Sequence, residues 1–304
     1  MDIQLRPFEH LTITSPFGVR FWDVAARDFV RSGLRVSVTE VDSPRRLTAF
    51  QNGGGVWIVS GLRLKRPRAE FSTEEAFRES DEFRWGDGGA EFWTRWSTPV
   101  TTLEFGVDDD EARFVPYRFT AGAPQRGFAR RACGEGPADA MPVYPAPART
   151  VPAGMAVVRA QLVEPAWPSP PSDRRPAAWA YVQVWIGGEI AGSSYADAQG
   201  RVAVMFPWPT PIDTSLHSPP AGGGGNALIN QSWRVRLRAY YDRLPQDDTP
   251  DLCRVLGQRE VTLLEAQPDE ALGERDLQYG RELVVRSGDT ESPPVRTSDL
   301  LVRP

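Results

Sequence analysis

Lysine is almost absent from this chain: Lys65 is the single one among 35 Lys and Arg residues. Histidine and cysteine are nearly as scarce, with His10 and His217, and Cys133 and Cys253, making up the whole supply. Two histidines leave almost no material for a Ser-His-Asp hydrolytic triad or a multi-histidine metal site. The two cysteines lie far apart in sequence, without the close spacing of zinc or dithiol motifs, so they are expected to be unpaired thiols. No apolar run approaches the ~20 residues that cross a bilayer. The start, Met1-Asp2-Ile3-Gln4-Leu5-Arg6-Pro7, lacks the basic and apolar regions of a signal peptide. The expectation is a cytoplasmic chain without direct membrane insertion. A net charge of −5 spread along the sequence gives no electrostatic footprint for nucleic acid.

What is abundant points to strands and turns. Proline and glycine number 28 and 27, more than a helical protein of this length tolerates. A strand pattern occurs twice. Val36 and Val38 precede Gly55, which opens Trp57 and Val59; Val182 and Val184 precede Gly200, which opens Val202 and Val204. A period of two puts these side chains on one face of a strand, and a glycine just before them suits a tight turn. Gly55 and Gly200 are therefore assigned as structural turn glycines. With 304 residues available, the repeat predicts an all-β chain: two tandem Ig-like or prealbumin-like β-sandwich domains with long loops.

The first domain spans residues 1–121. Its pattern breaks at 63–99, an excursion rich in charge and in rings, including Phe92 and the tryptophans Trp85, Trp93 and Trp96. Ser72-Thr73-Glu74-Glu75 reads there as a capping box starting one short helix. A hairpin, 100–107 against 112–119, closes the domain with Asp108-Asp109-Asp110-Glu111 as its solvated tip. Residues 122–154 hold Ala, Gly and Pro with few large apolar side chains, which predicts an extended linker that adds little to a core. The second domain, 155–304, includes the loop Pro207–Gln231 with Trp208, His217 and Gly222–Gly225. Loops of this length are usually functional or partner-binding. Leu300-Leu301-Val302 reads as a last edge strand.

Several chemical readings fail on the residues themselves. Gly222-Gly223-Gly224-Gly225-Asn226 lacks the Gly-Lys-Ser/Thr ending and strand-to-helix context of a phosphate-binding loop. His217 between Asp213, Ser215 and Ser218 is a loop histidine, because neighbours in sequence do not make a positioned triad. The acidic runs have no EF-hand spacing. No catalytic residue, metal ligand or cofactor site is assigned. Among the ten tryptophans, Trp57, Trp22, Trp179 and Trp233 suit the space between sheets. Trp85, Trp93 and Trp96 fit either a satellite core or, with Phe92, Trp208 and His217, a protein-contact surface, since Trp and Arg are enriched at hot spots.

The stretches Ala180–Val184 with Tyr195–Val204, and Gly33–Val38 with Gln51–Leu62, resemble carboxypeptidase regulatory-like, or transthyretin-like, modules. Such modules are seven-stranded prealbumin-type sandwiches. At the level of the whole chain, Pro16–Asp23, Arg113–Pro116, Val151–Ala160 and Leu300–Pro304 resemble an uncharacterised group of proteins associated with phage-tail-like contractile injection systems. That resemblance implies a non-enzymatic structural component of the baseplate or cage, with other particle proteins, or further copies of itself, as partners. It transfers no catalytic residue. Two alternatives stay open: a cell-surface or carbohydrate-binding Ig-like adhesion module, and an accessory domain of a hydrolase. With Lys65 as sole lysine, a Lys-to-Asn isopeptide bond of the adhesin kind is confined to the first domain.

Overall fold

The fold is that of a computed structural model of the chain, which describes residues 17–43, 45–60, 101–123, 128–165, 174–210, 231–246, 248–266, 270–288 and 299–303. The described chain is all-β, two sandwich-like bodies with one short helix. In the first body, β1 (Gly18–Val19), β2 (Phe21–Asp23), β3 (Asp28–Val30), β4 (Leu34–Glu40), β5 (Arg46–Gln51), β6 (Trp57–Ser60), β7 (Thr101–Asp109), β8 (Tyr117–Ala123) and β9 (Met141–Val143) form two sheets. Six strands run in the order β1-β6-β5-β4-β7-β8, and three in the order β3-β2-β9. Alternation decides which face is inward: Leu34, Val36 and Val38 on β4 and Leu103, Phe105 and Val107 on β7 are buried while their neighbours are not. Rings fill the space between the sheets, Phe105 stacking on Phe17 and Phe119 at 5.4 and 4.8 Å and Phe21 meeting Trp57 edge-on at 4.9 Å.

Composition misjudged the segment expected to be a linker. Within 128–154, β9 pairs in parallel with β2, Phe21 facing Met141 and Asp23 facing Val143. Met141, Val143, Tyr144, Ala129 and Ala140 are buried. Small residues and proline looked poor in core-forming material, yet few large side chains are needed where the backbone itself enters a sheet. Pro142 is tolerated because β9 ends its sheet and an outward position there needs no N–H.

In the second body, β10 (Met155–Glu164), β11 (Arg175–Pro176), β12 (Tyr181–Ile186), β13 (Glu189–Tyr195), β14 (Arg201–Pro207), β15 (Ser232–Tyr240), β16 (Glu260–Ala266), β17 (Glu270–Ala271), β18 (Arg275–Gln278), β19 (Leu283–Val284) and β20 (Asp299–Arg303) make one curled sheet. β16 links its two leaves, pairing with β15 at Glu260 and Val261 and with β20 from Thr262 to Leu264. The terminal strand β20 is not at an edge. It lies between β10 and β16, with Leu300 and Val302 buried in the core. The expected helix after Ser72 falls outside the described residues. The described helix, Leu252–Leu256, is capped by Asp251, whose carboxylate accepts from the Arg254 N–H at 3.0 Å.

The repeated sequence pattern is a repeated turn. Asn52 Oδ1 accepts from the N–H groups of Gly54 and Val56 at 2.9 and 3.0 Å; Asp197 Oδ1 accepts from Gln199 and Arg201 at the same two distances. Gly55 N donates to Asn52 O at 3.1 Å and Gly200 N to Asp197 O at 2.9 Å. Both glycines sit at positive φ, +77° and +76°. Beyond the turn the two copies diverge. β6 returns along β5, whereas β14 leaves β13 and pairs with β10 from Met155 to Gln161. A Cβ at Gly200 would collide with the backbone carbonyl of Leu162, while at Gly55 the nearest atom would be 3.5 Å away. Gly55→Ala is expected to destabilise by about 1 kcal/mol through backbone strain alone, and Gly200→Ala by about 1–3 kcal/mol more because the clash adds to the strain. Urea unfolding of the two variants checks this, and equal losses would contradict it.

Candidate functional site

The two bodies meet through a continuous core. Trp179, Tyr181, Tyr195, Leu252 and Val255, all from the second half of the chain, pack into the hydrophobic cluster of the first body. From the other side, Ala25 of the β2–β3 turn packs on Val157, Ala203 and Met205. Several polar groups at this junction are matched across it. The Tyr195 hydroxyl donates to Val115 O at 3.0 Å and lies 3.3 Å from Pro116 O. Ser194 Oγ donates to Pro145 O at 3.2 Å, and Arg118 donates from its N–H to Pro250 O at 2.8 Å and from Nε to Thr249 O at 2.7 Å. Burial pushes the phenols of Tyr117, Tyr144 and Tyr195 well above the ordinary tyrosine range, so they remain neutral. Tyr117 differs from Tyr195 in one respect: its buried hydroxyl has no hydrogen-bond partner among the described residues.

A covalent bond crosses the same junction. Cys133 and Cys253 form a disulfide with Cα atoms 5.5 Å apart and a sequence separation of 120. This corrects the expectation of unpaired thiols. Spacing tests detect only cysteines close in sequence, whereas these two are brought together by the burial of the 252–256 helix in the first core. On the chain-entropy model, closing a loop of this size restricts the unfolded state by about 5 kcal/mol.

Of the contact residues singled out in sequence, Trp85, Phe92, Trp93, Trp96 and His217 lie outside the described residues. Trp208 is described and half-buried. Its ring lies 4.9 Å from Tyr279 and 5.7 Å from Trp233, and with Tyr279, Val151, Pro152 and Met155 it lines a cleft of about 380 Å³. Arg281 and Glu282 line it as well, Glu282 paired with Arg159 at 3.1 Å. The acidic tip is less solvated than expected. Asp109 is buried and accepts from the backbone N–H of Arg113 at 2.5 Å and from its guanidinium at 2.9 Å, while Asp110 pairs with Arg35 at 3.2 Å.

A second surface was missed. On β12 the residues alternating with Val182 and Val184 are Tyr181, Gln183 and Trp185, which take the opposite face. Trp185 Nε1 and the Tyr240 hydroxyl both donate to Gln183 Oε1, at 3.2 and 3.3 Å, and the Arg238 guanidinium covers the Trp185 ring at 4.4 Å. Ile190, opposite Trp185 on β13, is 43% exposed. At the inner end, Glu135 accepts from Tyr181 at 3.2 Å and from the Ser193 hydroxyl. The signal was present in the sequence as a second alternation, aromatic and polar, in antiphase to the valines. This face and the Trp208 cleft both offer ring surface, aliphatic contact and charged side chains. Among the described residues no three of His, Cys, Asp and Glu come together as a metal-binding group.

Comparison with protein-family models, with curated proteins and with solved structures finds no match for this chain.

Tyr117 and Tyr195 give a paired test. Tyr195→Phe leaves the buried Val115 carbonyl without this donor and is expected to cost about 1–2 kcal/mol, whereas Tyr117→Phe removes an unpartnered hydroxyl and is expected to be neutral or stabilising. Urea denaturation of both variants distinguishes them, and equal destabilisation would contradict the assignment of Tyr195 as the junction's donor.

Proposed function

We propose that this chain is a non-enzymatic assembly component of a phage-tail-like contractile injection particle, in its baseplate or cage region, acting through protein–protein contacts. The observation that carries the reading is the junction, where two bodies share a core, exchange buried hydrogen bonds and are joined by a disulfide. A chain joined in this way presents its surfaces at fixed relative positions, which suits a bracket between neighbouring subunits. The phrases that carry the sequence resemblance support it by where they fall: Phe17–Asp23 builds β1 and β2, Arg113–Pro116 supplies the carbonyls bound by Tyr195, and Val151–Ala160 and Leu300–Arg303 build β10 and β20. These are framework positions, not a separate reactive centre. The Trp208 cleft and the Trp185 face are the contact surfaces in this reading. Assembly takes place in the cytoplasm, with other particle proteins as partners.

One observation favours a second reading, an adhesion or carbohydrate-binding module working outside the cell. Disulfides are rare where cytosolic thiol reductants act, and this chain has one. Affinity-tagged protein expressed beside the particle's other genes separates the two readings. The particle reading predicts copurification of sheath, tube or baseplate proteins. It further predicts that Trp185→Ala combined with Trp208→Ala lowers incorporation by about 2 kcal/mol or more if both rings are anchors, with circular dichroism unchanged. A particle that is intact and active after deletion of this chain would contradict it, and saturable polysaccharide binding without copurification would favour the second reading.

A further inference from the structure

The loop from Arg130 to Asp139, between the buried Ala129 and Ala140, is held to the rest of the protein in an unusual way. It contains no large apolar side chain: its sequence is Arg-Arg-Ala-Cys-Gly-Glu-Gly-Pro-Ala-Asp. Arg130, Ala132, Gly136 and Ala138 are exposed. Internally it is tied by Arg131, whose N–H donates to Ala138 O at 3.1 Å and whose Nε donates to Pro137 O at 3.2 Å. Outward, it has one covalent anchor, Cys133–Cys253, and two ionic or hydrogen-bonded ones, Asp139 to Arg20 and Glu135 to Tyr181 and Ser193. Close backbone approaches add to these. Gly134 approaches Pro142 and Leu256, and Gly136 lies against the Trp22 ring so closely that a Cβ would collide with it. Segments with so little apolar burial belong to the low-stability end of a fold and open locally unless something else restrains them.

The other half of the anchor is firm. Cys253 sits in the helix whose Leu252 and Val255 are buried in the first core, and Gln258, just beyond it, donates from Nε2 to Trp179 O at 2.7 Å and Val255 O at 2.8 Å. The disulfide therefore ties a weakly held loop to a strongly held helix. Both cysteines are partly exposed, so a reductant reaches them.

We propose that the Cys133–Cys253 bond is a redox lock that sets whether Glu135 covers the inner end of the Tyr181–Gln183–Trp185 face. In the oxidised protein the bond holds the loop down, and the Glu135 carboxylate accepts from the Tyr181 and Ser193 hydroxyls. A dithiol reductant opens the lock by thiol–disulfide exchange: one thiolate attacks a protein sulfur and displaces the other as thiolate, and the second thiol then resolves the mixed disulfide. The S–S bond is replaced by thiols on Cys133 and Cys253, and the reductant leaves as its own disulfide, having supplied both electrons. With the covalent anchor gone, the loop opens about its polar contacts. The two hydroxyls are released, and the outward face is extended toward the junction. This rests on the junction geometry alone and is independent of the particle assignment.

The test uses the full-length protein, oxidised in a glutathione disulfide buffer and then compared with the same sample reduced by dithiothreitol. Intact mass after N-ethylmaleimide treatment is expected to show no adduct before reduction and two after it. Hydrogen–deuterium exchange is expected to speed up on reduction by about tenfold or more in peptides covering 130–140 and 181–195 relative to the change in β4, β7, β10 and β14. Cys133→Ser is expected to exchange like the reduced wild type without reductant. Two maleimide adducts on the glutathione-treated sample would overturn the proposal, as would unchanged exchange at 130–140 and 181–195 after reduction. Acceleration at 130–140 and 181–195 no greater than that in β4, β7, β10 and β14 would overturn it as well, because the bond would then act through global stability alone.

Discussion

The architecture depends on the core shared across the junction, and within it lies the hydrogen bond from the Tyr195 hydroxyl to the carbonyl of Val115. It is buried, and it joins the end of β13 to the loop after β7 of the other body. A carbonyl taken out of water needs a donor, and at this depth only another part of the chain supplies one. Once Tyr195 is committed there, its ring lies 5.4 Å from Tyr144, and Tyr144 lies 6.3 Å from Tyr181. The junction therefore becomes a core of rings with neutral hydroxyls. Two sandwiches of related local pattern are in this way made into one object.

The repeated turn shows how far a shared local rule reaches. Asn52 and Asp197 cap their turns with the same pair of backbone donors, and Gly55 and Gly200 take the same left-handed conformation. The strands after the turns nonetheless go to different partners. β6 stays with β5, while β14 is claimed by β10, a long strand that is buried on both faces along much of its length. Local chemistry specifies the turn, and the nearest unpaired strand specifies where the chain goes next.

This division explains what was legible in the sequence. The all-β class, the phases of Val36, Val38, Trp57 and Val59 and of Val182, Val184, Val202 and Val204, and the roles of Gly55 and Gly200 follow from period-two alternation and turn geometry, which are local. The Cys133–Cys253 bond, the central position of β20 and the entry of Met141–Tyr144 into the first core depend on residues distant in sequence that meet only in the fold. Among the candidate surfaces, Trp208 stands out in the sequence as a tryptophan at the head of a long loop. Trp185 is less legible, because it alternates with the stronger valine signal of Val182 and Val184 on the same strand. Tyr195 has no sequence signature at all, since its role depends on carbonyls supplied by another body.

The central claim is that the two bodies form one cooperative unit. Differential scanning calorimetry of the oxidised protein tests it most directly. The account predicts a single transition whose calorimetric enthalpy equals its van't Hoff enthalpy; two separated transitions, or a calorimetric enthalpy well above the van't Hoff value, would show that the bodies unfold independently and that the junction does not hold the molecule together.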